Sequence, residues 1–208
     1  PFLCLCVSGG TTALVDVQDY TTMTLIGSTR DDAVGECFDK VARVLGIGYP
    51  GGKPLDDLSQ TGDPTTYPLP RSKVDGSPYD MSFSGLKTAS LNLIHNLAQK
   101  EEALHLPNFA ASFSSAITDT LVPRTLSAAK EYGHTKIAVA GGVAANSQLR
   151  THLQAQCKQH NLNLYLPQLS LCGDNAAMIG AQGYYEYLNG TRATLDLNAY
   201  ATRPLSTL

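Results

Sequence analysis

The sequence predicts an α/β lobe built on a mixed sheet, and three observations lead there. An antiparallel hairpin opens the chain, with apolar arms at 2–7 and 13–17 around a Ser-Gly-Gly-Thr-Thr turn. Helical and strand periodicities then alternate through the rest of the sequence. Of the 208 residues, 43% are hydrophobic and 16% charged, which supplies one sizeable core and argues against disorder.

Taken in order, the hairpin has Gly9 and Gly10 at its tip, and Cys4 and Cys6 share one face of its first arm. A helix is expected over 31–45, capped by Asp31 or Asp32, with Val34, Cys37, Phe38, Val41, Val44 and Leu45 as its apolar stripe and Gly46 at its end. Residues 46–80 hold most of the prolines and read as a structured surface excursion, since aromatic and apolar residues are interleaved there. Helices follow at 84–100 and 107–132, the second bent near Pro123, where a helix hydrogen bond is lost. Residues 136–140 form a buried strand, "GGVAANS" a turn and 146–159 a helix. "NLYLP" is a short strand, "CGDNAAMIGAQGYYEYL" enters a last helix, and a polar tail occupies 190–208 after a lobe that spans 1–189.

Composition excludes several classes. With 15 Lys and Arg against 18 Asp and Glu, the net charge of −3 lacks the basic footprint of a stand-alone nucleic-acid binder. Apolar runs of about six residues are too short to span a membrane. The five cysteines include no CxxC pair, so a reduced, structural role is expected of them. No HExxH stands in the sequence for a zinc peptidase, and no Ser-His-Asp set or activated Cys argues for covalent chemistry.

Two stretches carry binding chemistry. In "KIAVAGGVAANSQLR" a buried strand stops at Gly141-Gly142, where the missing side chains let a ligand approach the backbone. Asn146 then either caps the following helix or donates its amide to a ligand. The pattern is neither GxxxxGK[ST] nor GxGxxG, and taken alone it is equally a plain capped turn. In the opening hairpin, Ser8, Gly9, Gly10, Thr11 and Thr12 offer N–H and hydroxyl donors suited to phosphate oxygens. The pair of features resembles the glycine hairpin and strand-Gly-Gly-helix with which actin-like ATPases hold a nucleotide.

"VSGG", "DDAVGECFDKVARVLGIGYPGG", "SFSGLKTA", "AGGVAANSQLR" and "CGDNAAMIG" follow one another in an order that resembles the tRNA N6-adenosine threonylcarbamoyltransferase family, over residues 1 to about 204. The resemblance implies an actin-like (ribonuclease H-like) lobe, cytosolic work, and transfer of the threonylcarbamoyl group from threonylcarbamoyl-adenylate to N6 of the adenine beside the anticodon. The acceptors would be tRNAs that read codons starting with A. By position, the adenylate-binding run falls on Cys6, Val7, Ser8, Gly9 and Gly10, and further ligand contacts fall on Asp39, Gly52, Asp56 and Asn146. For Asp39 the plain alternative is an ion pair with Arg43, one helical turn away.

The family's metal-binding aspartate falls on Asp174, whose plain alternative is a helix cap. The metal implied is one divalent ion, Fe2+ or Zn2+, whose other ligands come from an HxxxH pair. His95, His105, His134, His152 and His160 supply no such pair and are read as surface or half-buried helix residues. ATP or threonylcarbamoyl-adenylate is the implied ligand, and tRNA with TsaB-like and TsaE-like subunits the implied partners, without a membrane. Family chains carry an N-terminal lobe of roughly one hundred residues before "VSGG". The chain is therefore expected to be a C-terminal lobe, inactive by itself, whose tail packs toward the missing lobe. Thr11 stands where bacterial relatives usually have His, Lys53 where they have Pro, and Gly173 where Thr is common. A non-catalytic actin-like scaffold subunit of the same complex is the alternative reading.

Overall fold

The computed structural model describes residues 1–71 and 73–199. Strands β1 (Phe2–Val7), β2 (Thr12–Val17), β3 (Met23–Ser28), β4 (Lys136–Ala140) and β5 (Asn163–Tyr165) form one sheet in the order β3-β2-β1-β4-β5. β1 pairs antiparallel with β2 and parallel with β4, so the sheet is mixed as expected. Strand alternation divides β1 between two faces: Leu3, Leu5 and Val7 enter the main core, while Phe2, Cys4 and Cys6 join Val15 and Leu25 on the other side.

The helices are α1 (Val34–Val44), α2 (Gly52–Ser59), α3 (Ser84–Gln99), α4 (Leu106–Glu131), α5 (Ser147–Gln159) and α6 (Ala176–Leu188). Val34, Cys37, Phe38 and Val41 of the predicted α1 stripe are buried, and Phe38 meets Phe113 of α4 edge to face, whereas Val44 in the last turn is exposed and Leu45 is the half-buried C-cap. α4 runs through Pro123 without interruption, and its N-terminus is capped by the Nδ1 of His105, which accepts from Asn108 N–H. Hydroxyls of Thr118 and Thr120, and of Thr125 two residues past the proline, bond back to carbonyls one turn earlier.

Several expectations need correction. β3 was not anticipated: it is an edge strand, largely exposed at Met23 and Thr24, so it lacks the apolar alternation of a half-buried strand. The 46–80 segment is more than an excursion, because it contains α2 and buries Leu55, Leu69 and Tyr79 in the core. The predicted Asp31 or Asp32 cap of α1 is replaced by Thr12, whose Oγ1 accepts from Val34 N–H at 2.9 Å. Asp31 instead accepts from Phe83 N–H (2.8 Å) and Ser84 N–H (3.2 Å), capping α3 from across the fold. His134 is not on a helix surface. It is buried in the turn before β4, with Nε2 2.8 Å from Asp16 Oδ1 of β2. "GGVAANS" holds a 3₁₀ turn, Gly142–Ala145.

All five cysteines are free thiols in the structure, with the Cys4 and Cys6 sulfurs 3.6 Å apart. The last helix ends at Leu188, against the boundary of 189 expected for the lobe. Tyr185 of α6 stacks on Tyr20 with ring centroids 3.5 Å apart, which ties α6 to the β2–β3 turn. The expected packing of the tail concerns in part 200–208, which lie outside the described residues.

Candidate nucleotide-binding cleft

Because β1 and β4 are parallel neighbours, with Cys6 opposite Ala140, their carboxyl ends deliver two glycine turns side by side. This is where ligands bind in parallel α/β sheets. Gly141 sits at φ +99°, and a Cβ there would come within 2.3 Å of the Val7 carbonyl oxygen. Only glycine lets the second turn lie so close to the first. On the other side, Gly35 N–H donates to the Ser8 carbonyl at 3.1 Å, and a Cβ on Gly35 would meet that oxygen at 2.6 Å. The hairpin is thus wedged between α1 and the β4 turn.

A cavity of about 730 Å³ opens beside these turns, lined by Gly9, Asp39, Gly52, Asp56, Asn146 and neighbouring residues of α1, α2 and α5. Five of the sequence-derived positions therefore share one cleft. Of the run Cys6–Gly10, only Gly9 lines it. The Val7 side chain is core, Cys6 lies on the opposite sheet face, and Ser8 Oγ accepts from Gly10 N–H (3.3 Å) and Thr11 N–H (3.0 Å) inside the turn.

The acidic residues are held in a common way. Asp39 forms no ion pair with Arg43; its Oδ1 accepts from Gly51 N–H at 2.7 Å, fixing the approach to α2. Asp56 Oδ1 accepts from Asn146 Nδ2 (2.9 Å), Ser147 N–H (3.0 Å) and Ser147 Oγ (2.8 Å). Of the two roles expected of Asn146, the structure shows the cap: its Oδ1 accepts from Leu149 N–H at 2.9 Å, while its amide is turned to Asp56. Among the described residues the second oxygens of Asp39 and Asp56 have no partner. Asp57 is neutralised by Lys53, 2.8 Å away, so Asp39 and Asp56 are the anionic pair of the cleft. Two immobilised carboxylate oxygens suit a ligand rich in hydroxyl or amine donors.

Behind the hairpin lies a network that the motif reading did not resolve. Burial raises the Asp31 carboxyl, but the hydroxyls of Ser82 and Ser84 and the N–H groups of Phe83 and Ser84 outweigh it and hold the group at about 2. Asp32 bonds both Lys87 and Lys40; burial pushes its carboxyl up, and these two ammonium groups pull it below its usual range. The signal was present in "DDAVGE" and "SFSGLK", whose acids and bases meet across about fifty positions. Arg150, Ser147, Phe38 and Leu169 also line the cleft and were not singled out. Arg150 could have been found, since it stands one helical turn beyond Asn146.

Asp174 is exposed and outside the cleft lining, and its neighbour Asn175, not Asp174, caps α6 by accepting from Met178 N–H at 3.0 Å. Among the described residues, no three His, Cys, Asp or Glu side chains come together as a metal site. The residues present offer one carboxylate, which does not fit a divalent ion needing several protein ligands.

Similarity to known proteins bears on the fold and the family. Full-length HypF in a phosphate- and nucleotide-bound form superposes with a TM-score of 0.66 at 14% identity, over 89% of this chain and 33% of that one. HypF from T. kodakarensis gives 0.53 at 18% identity, over 82% and 21%. These likenesses support the fold, an actin-like α/β lobe. A Staphylococcus saprophyticus protein named tRNA N6-adenosine threonylcarbamoyltransferase is 48% identical over 96% of this chain and 58% of its own length. One of the same name from Moorella thermoacetica is 48% identical over 99% and 60%. The chain therefore spans about 58% of the relatives it matches. The family profile described as "TsaD: tRNA N6-adenosine threonylcarbamoyltransferase" matches residues 1–181, and the chain belongs to that family.

Proposed function

We propose that the cleft binds ATP or threonylcarbamoyl-adenylate, and that the whole protein transfers the threonylcarbamoyl group to N6 of the adenine beside the anticodon. The observation that carries this reading is the meeting of Gly9, Asp39, Gly52, Asp56 and Asn146, drawn from four separate segments, in one cavity. The free oxygens of Asp39 and Asp56 accept ribose hydroxyls. The hairpin backbone at Gly9 lies against the phosphate, as the nearby glycine turns allow close approach. The 3₁₀ turn and Asn146 border the base. Catalysis then rests on orienting the carbamoyl carbon toward the incoming amine, without a protein nucleophile.

The partners in this reading are tRNA and TsaB-like and TsaE-like subunits, and the compartment is the cytosol. Among the described residues no helix is long and apolar enough to cross a membrane. The divalent ion of the family reading, Fe2+ or Zn2+, is not held by Asp174 alone, and no step is assigned to it. Transfer is proposed for the whole protein and not for these 208 residues alone.

Transfer of a labelled threonylcarbamoyl group from threonylcarbamoyl-adenylate to tRNA, with release of AMP, by the full-length protein and its partner subunits tests the reading. Asp56→Asn is expected to lower transfer at least tenfold while leaving the melting temperature within a few degrees. Transfer unchanged by this variant would contradict the assignment. Tight adenylate binding without transfer would instead favour a scaffold subunit.

A further inference from the structure

Arg150 reaches from α5 to two segments that wall the cleft. Its Nη1 donates to the Ala144 carbonyl (2.9 Å) and the Pro167 carbonyl (3.2 Å), and Nη2 donates to the Pro167 carbonyl (3.2 Å). Ala144 belongs to the 3₁₀ turn whose Val143 and Ala145 line the cavity. Pro167 leads into a second short turn that carries Leu169, which lines the same cavity while 65% exposed. Neither carbonyl has another donor among the described residues, and a loop or turn carbonyl left unpaired is costly. A planar guanidinium can bridge two divergent carbonyls at once, whereas the compact ammonium of Lys makes a point contact.

We propose that Arg150 is a positioning residue for the base of the bound nucleotide: it fixes the spacing between the Val143–Ala145 wall and Leu169, the apolar slot into which a flat ring fits. The inference rests on the nucleotide reading of the cleft and adds to it the residue that shapes the base-side slot. The phosphate-side hairpin shares no hydrogen bond with Arg150, so the two ends of the ligand respond differently to its loss.

The test compares ATP with tripolyphosphate, which carries the phosphates and no base, by calorimetric titration of the full-length protein. Arg150→Lys, which keeps the charge, is expected to weaken ATP at least tenfold and leave tripolyphosphate unchanged within twofold, and Arg150→Gln is expected to weaken ATP by a larger factor than tripolyphosphate. The melting temperature identifies any variant that fails to fold, and Arg150→Lys then carries the comparison. Equal weakening of both ligands, or none of either, would overturn the role of Arg150 alone. Absence of ATP binding to the unsubstituted protein would overturn the nucleotide reading itself.

Discussion

Asp39 and Asp56 each give one oxygen to the protein and keep the other for the cleft. That division makes asparagine an informative replacement: its carbonyl oxygen preserves the bond to Gly51 or Ser147, while its amide turns the free acceptor into a donor. A charge-assisted hydrogen bond contributes about 1.5–3 kcal/mol, so either replacement should weaken the ligand by about one to two powers of ten. Asp31 has the opposite character: it accepts from four donors of the Ser82–Ser84 segment, the Ser82 and Ser84 hydroxyls and the Phe83 and Ser84 N–H groups, and more distantly from Thr29 Oγ1 at 3.5 Å. Its carboxyl sits at about 2 when folded, below the ordinary value of about 3.9, so the stability it contributes is present above pH ~4 and is lost as pH falls toward 2. Asp31→Asn is expected to cost about 1 kcal/mol at neutral pH, a figure kept low because the residue is exposed, and to flatten the acid limb of a urea-denaturation profile. An unchanged profile between pH 2 and 4 would show that the four donors do not stabilise the charged form.

At the scale of elements, two helices depend on caps supplied from elsewhere in the chain. Neither Ala33 before α1 nor Phe83 before α3 has a capping side chain, and Thr12 and Asp31 provide the bonds. Thr12→Val keeps the buried shape and leaves Val34 N–H without its acceptor. The expected loss is about 1–2 kcal/mol, or a melting temperature lower by about 2–8 °C in thermal denaturation. These caps were not legible in the sequence, because Asp31 stands directly before the apolar stripe of α1 and local spacing assigns it there. Long-range pairing decides otherwise. The stripe of α1, the hairpin and the capping role of Asn146 were legible, since each is set by periodicity or by turn chemistry within a few residues. β3 and α2 were hidden for separate reasons: an edge strand needs little apolar alternation, and α2 lies among prolines and glycines that read as loop. Pro54 falls in the first turn of α2, where its missing N–H costs nothing.

For the whole molecule, the decisive feature is a sheet in which β1 is antiparallel to β2 but parallel to β4. That topology places the Gly9–Gly10 and Gly141–Gly142 turns together although about 130 positions separate them. The motifs named the residues, and the sheet explains why Gly9 and Asn146 reach one cavity while Asp174 stands outside it. Burial separates the thiols similarly. Desolvation pushes Cys37 up to about 12 and raises Cys157. In the native protein both should resist alkylation at neutral pH, and mass spectrometry should find them modified only after denaturation. Calorimetric titration of ATP into the full-length protein and its Asp39→Asn variant decides whether this cleft holds an adenine nucleotide through Asp39 and Asp56. Binding to the unsubstituted protein is expected to be saturable, and the substitution to weaken it about 10–100-fold without a change in melting temperature. Equal affinity in the two proteins, or no binding to either, would contradict that reading of the cleft.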